Sequence, residues 1–130
     1  MPERLPSVVA DQADRAGAPR ELSAEHRDAL RLLGYLLLRQ NHAADAVAVF
    51  RGLLATAPDD RHAHRALIYA YLAADQAERA LELAGSYVPR QHEPLAATIH
   101  LLRAQALWRL DRPEEAREAL QRFVELREVS

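Results

Sequence analysis

The sequence predicts an all-α fold, an α-solenoid of three helix hairpins, and three observations carry that prediction. The first is an internal period. Gly34, Ala46, Phe50 and Pro58, displaced by 34 residues, fall on Ile68, Ala80, Ala84 and His92, with Pro94 two places on. A further displacement by 36 lands on Ala104, Ala116 and Leu120. The second is a polar residue at Asn41, Asp75 and Asp111, which obeys the same spacing. Asn and Asp suit helix N-caps, because the side chain accepts from an orphan amide of the first turn. Glu78 and Glu114 follow three residues after the aspartates, as in a capping box. The third is the punctuation: "RQNH", "APDD", "AADQ", "VPRQHEP" and "LDRP" each carry Pro, Asn or Asp turn chemistry between leucine- and alanine-rich stretches.

The elements follow in order. Residues 1–22, rich in Pro, Ala and charge, read as a flexible tail that cannot bury enough apolar surface to order itself. The domain then occupies 23–130, with repeats at about 27–60, 61–96 and 97–130. Six helices are predicted: α1 at about 24–39, α2 at 42–56, α3 at 61–73, α4 at 76–88, α5 at 95–109 and α6 at 112–127. Asp60 stands where it would cap α3, and Pro113 lies in the first turn of α6, where a missing N–H does little harm. Gly34 is the anomaly. It sits among leucines inside α1, where glycine costs about 1 kcal/mol relative to alanine, so something must approach the backbone there.

Composition removes several function classes. There is no cysteine, which excludes disulfide scaffolds, thiol nucleophiles and Cys-based zinc sites. All 17 basic residues are arginine, and they interleave with 19 acidic ones instead of forming a stripe. Nucleic-acid binding is therefore not expected, since it relies on clustered cations that displace counterions. Leu32 to Leu38 is the longest uncharged leucine-rich run, far short of the roughly 20 residues that span a bilayer. The N-terminal stretch lacks the apolar core of an export signal.

No catalytic constellation emerges. His62 and His64 are two apart and point to different faces of a helix. Asp60 and His64 are four apart and could share a metal, but capping explains Asp60 more simply. His26, His42, His92 and His100 are scattered, and the four glycines make no phosphate loop. Glu and Arg at helical spacing in "AERALELA" and "EEAREALQRFVELRE" describe a solvated, ion-paired face. Neither cofactor nor metal is expected, and the protein reads as a non-enzyme.

The arrangement resembles the tetratricopeptide repeat, a 34-residue helix hairpin with small residues where its two helices touch. On that template Gly34 and Ala104 fill the small site of the leading helices, and Ala46, Ala80 and Ala116 that of the trailing ones. Phe50 and Leu120 complete the helix-packing set. Tyr71 takes an aromatic site and Pro58 the terminal proline. Ile68 departs from the pattern and predicts a slightly wider second hairpin. The resemblance implies a right-handed superhelical stack whose concave wall is lined by α1, α3 and α5. That wall would carry Asp28, Arg31, Tyr35 and Leu38; His62, Arg65, Tyr69 and Leu72; and Thr98, Leu101, Gln105 and Trp108. Leu38 and Leu72 have a second reading, as core between neighbouring leading helices. An apolar, aromatic wall without lysine argues against a clamp for C-terminal carboxylates and for an apolar or amphipathic segment laid in the groove. Phe123, Val124 and Leu126 lie near the unstacked end, where a partner, a second copy or the tail is expected to cover them.

"LLGYLLLRQNHAADAV", "LLATAPDD", "QAERALELA" and "AREALQRFVELRE", in order and over about Leu22 to Glu128, are similar to the YscY family of type III secretion chaperones. That resemblance implies a non-enzymatic chaperone that stabilises a small exported YscX-like partner and helps present it to a YscV-like export gate. The place implied is the bacterial cytoplasm, peripheral to the base of the secretion apparatus, with homodimerisation open when no partner is bound. The alternatives are a chaperone for needle or translocator subunits and a generic scaffold.

Overall fold

The computed structural model describes residues 23–87 and 94–129. The tail 1–22, His92 and most of the "VPRQHEP" break lie outside the described residues. Six helices run in order: α1 Ala24–Arg39, α2 Ala43–Thr56, α3 Arg61–Ala73, α4 Ala77–Ser86, α5 Pro94–Arg109 and α6 Pro113–Val129. Among the described residues there is no strand.

Two helix starts are capped by side chains, Asp60 as expected and Ser23 in addition. The Ser23 hydroxyl accepts from the His26 amide at 3.1 Å, and the Asp60 carboxylate accepts from the Ala63 amide at 3.0 Å, each satisfying a first-turn donor. Asn41, Asp75 and Asp111 correct the expectation. They are not N-caps. Their φ angles are 63°, 61° and 58°, in the left-handed region. The residues preceding α2 and α4 are His42 and Gln76, and neither makes a side-chain cap bond.

Each Asn or Asp instead closes the helix before it. The amides of His42, Gln76 and Arg112 donate to the carbonyls of Leu37, Tyr71 and Leu107 at 2.8, 2.8 and 2.9 Å. The amides of Asn41, Asp75 and Asp111 donate to Leu38, Leu72 and Trp108 at 3.2, 3.1 and 3.1 Å. This is the Schellman pattern, which needs one left-handed residue just past the helix. Asn and Asp adopt that conformation more readily than other non-glycine residues.

Consecutive helices pack as antiparallel neighbours along the chain, and α3 also touches α1 and α5, so the leading helices form one row. One core runs through the first two hairpins into α5, around Phe50, Leu53, Ile68, Leu72 and Ile99. A smaller cluster of Ala104, Leu107, Ala116 and Ala119 joins α5 to α6. Gly34 now has its reason. A β-carbon built there would stand 2.4 Å from Phe50 Cζ, and both neighbouring ring carbons lie within 2.8 Å. The Phe50 ring lies against the bare backbone of α1 and meets Tyr35 edge-on at 5.4 Å between centroids.

The equivalent pair in each hairpin balances its sizes. Gly34 faces Phe50 in the first, Ile68 and Ala84 occupy those places in the second, and Ala104 and Leu120 in the third. Ile68 and Ala84 are both buried in the core, the large side chain having moved to the leading helix. Ala46, Ala80, Ala104 and Ala116 are buried as well. Leu120 corrects the packing set, being 44% exposed. Its helix has α5 as its one packing neighbour among the described elements.

Candidate functional site

The groove residues predicted along α1, α3 and α5 separate into two groups. In the first two repeats most are tied into the structure. Arg31 Nη2 donates to Asp60 Oδ2 at 2.9 Å and Nη1 to Asp28 Oδ1 at 3.1 Å, joining the start of α3 to α1. Burial pushes the Asp60 carboxyl up, but the Ala63 amide and the Arg31 guanidinium outweigh it and hold the group below the ordinary carboxylate value. Its two oxygens are thus spent on the cap and the ion pair. Arg65 Nη2 donates to Tyr35 Oη at 3.1 Å, a second clasp between α3 and α1. Leu38 is half-buried against the core.

Leu72 is 2% exposed and belongs to the core, which corrects its place on the groove wall. The covering of one leading helix by the next is what removes it from solvent. In the third clasp, Arg109 Nη1 donates to the Leu72 carbonyl and joins α5 to α3.

The third repeat behaves differently. Leu101, Gln105 and Trp108 from α5 meet Ala116 and Leu120 from α6 around a hollow of about 330 Å³. Ala104 forms part of its floor, and Arg109 and Arg117 its polar edge. Trp108 is 66% exposed. Leu101 occupies the place of Arg65 and has no donor to offer Tyr69, which is 48% exposed on the neighbouring helix. Sequence reasoning placed Trp108, Leu101 and Gln105 together but assigned Ala116 and Leu120 to packing, and it missed Arg109 and Arg117. The repeat register does not mark either arginine, since Ala73 and Leu81 stand at their places one repeat earlier.

An apolar hollow bordered by Arg109 and Arg117 can bury an apolar helix face. It holds no acid–base pair. Among the described residues no three His, Asp or Glu are grouped to hold a metal, and no helix is long and apolar enough to cross a membrane.

Hairpins of this length, stacked through small-residue contacts, define a helical-repeat protein of the superhelical class. The tetratricopeptide repeat family matches residues 13–61, 31–91 and 65–129, and the chain belongs to that family. Comparison with curated proteins gives no match. Tetratricopeptide stacks present extended surfaces that bind other proteins.

Proposed function

We propose that this protein is a non-enzymatic binding module that shields an apolar or amphipathic helical segment of one protein partner in the α5–α6 hollow. The observation that carries this reading is Trp108, a large aromatic left two-thirds exposed beside an apolar cavity. Tryptophan in such a setting is a frequent binding hot spot. Tyr69 extends the surface toward the middle of the leading-helix row. The finer reading is that the partner is a small exported component of the YscX type, stabilised in the bacterial cytoplasm before it reaches a YscV-like export gate. The YscY-like order and spacing of the repeats support it.

Trp108 is the sole tryptophan, so its fluorescence reports on the hollow directly. Co-expression with a candidate partner should give a complex of fixed stoichiometry whose emission is blue-shifted relative to the free protein. Trp108→Ala with Tyr69→Ala should abolish capture while far-ultraviolet circular dichroism stays unchanged. Capture undiminished by that pair would refute the site. Co-purification with a needle or translocator subunit instead would redirect the chaperone reading, and capture of components of an unrelated assembly would favour a scaffold.

A further inference from the structure

We infer that this protein self-associates head to tail, α1 of one copy seating in the α5–α6 hollow of the next. The inference rests on the same hollow as the proposed function but adds a second surface, at the opposite end of the stack.

That surface is on α1. Leu32, Leu33 and Leu36 are 60%, 44% and 44% exposed. Their equivalents one repeat on, Ala66, Leu67 and Ala70, are all buried, as are Leu102 and Ala106 in α5. Each leading helix has its own trailing helix, so that contact cannot account for the difference. What α3 and α5 have, and α1 lacks among the described residues, is a preceding hairpin. The exposed leucines of α1 are one half of an inter-repeat contact whose other half no described residue supplies.

The hollow is the complementary half. Trp108 and Leu120 correspond to Leu72 and Ala84 in the second repeat, which α5 and α6 follow in the chain, and those two are buried. The two open surfaces are therefore the two sides of one interface, which the molecule already builds twice, between α2 and α3 and between α4 and α5. A second copy continues it with the same shapes.

One polar contact is specified by the same register. Arg109 donates to the Leu72 carbonyl across the internal interface. Shifted by a whole number of repeats, Arg39 takes the place of Arg109, and the Trp108 carbonyl that of Leu72. Arg39 is exposed in the last turn of α1. In the assembly it donates to the Trp108 carbonyl of the preceding copy. Such a contact joins unlike surfaces, so it propagates into open chains or rings instead of stopping at a two-fold dimer. A partner segment entering the hollow displaces the neighbouring copy.

The test is sedimentation of the full chain over a concentration series, with three variants: Leu32→Glu/Leu36→Glu on α1, Trp108→Ala/Leu120→Glu on the hollow, and Arg39→Ala. The native chain should form concentration-dependent species beyond the dimer, and each end-blocked variant should be monomeric. Mixing the two end-blocked variants should give a discrete 1:1 dimer, because one intact contact remains. Arg39→Ala should weaken association about tenfold, the loss of one charge-assisted bond. A native chain monomeric at every concentration overturns the inference. So does association with no rescue on mixing, which marks a symmetric contact. The proposed function fails separately: the α1 variant should still capture partner, whereas the hollow variant should not.

Discussion

The first and third hairpins place equivalent residues in opposite circumstances. In the first, the Phe50 ring is sealed against Gly34, both residues are buried, and α3 packs on α2 and touches α1. In the third, Ala104 and Leu120 hold the same places, yet Leu120 is open to solvent and borders the hollow. The chemistry of the two pairs differs little in kind, small against large. The difference is the neighbour. A covered repeat converts its apolar residues into stability, and an uncovered one keeps them available for another chain.

The sharpest way to break this comparison is Phe50→Ala against Leu120→Ala. Removing a fully buried ring from over a glycine should cost about 3–5 kcal/mol by cavity formation. Trimming the half-exposed leucine should cost about 1 kcal/mol or less, since little burial is lost. Urea midpoints of the two variants decide it, and equal losses would erase the distinction.

Next comes Gly34→Ala. On an open helix the change would stabilise by about 1 kcal/mol. Here the added methyl meets the Phe50 ring, and overpacking of about 1–3 kcal/mol should prevail. Gly34→Leu should be worse. Combining Gly34→Ala with Phe50→Leu, which copies the Ala104 and Leu120 pair, should recover part of the loss. A melting temperature that rises with Gly34→Ala alone would show that the ring moves aside freely.

A smaller effect is expected from pH. Burial lowers the pKa of His64, helped by Arg61, and that of His100, helped by Arg122 and Arg103. The unfolded chain then binds protons more readily than the folded one. The associated stability is present above the ordinary histidine value of 6.5 and is lost as pH falls below it toward the folded values. Melting temperature should drop between neutral and mildly acid pH, and His64→Gln or His100→Gln should flatten that slope. The smallest effect is Arg31→Ala, which opens the α1–α3 clasp and should cost about 1 kcal/mol or less by denaturant titration.

Much of this architecture was legible. The helix bounds follow from turn chemistry and apolar periodicity, because both are local properties of the chain. Gly34 announced a close approach, because its cost in a helix demands a compensating contact. The role of Asn41, Asp75 and Asp111 was read one helix too late. The same residue types favour an N-cap and a left-handed helix stop, and when one helix ends where another begins, spacing alone cannot tell which amides they serve. The candidate site was half visible. Trp108, Leu101 and Gln105 came from repeat position, but the hollow they share with Ala116 and Leu120 did not.

By itself the sequence determined the number of hairpins, their order and the residues at each repeat position, since these are written in period and local propensity. Only the tertiary structure decided which copy of a position is core and which is surface. Leu38, Leu72 and Trp108 are equivalents along the chain, and they are half-buried, buried and exposed in turn. Burial belongs to whatever stands next door, and a linear period carries no record of which neighbours are present.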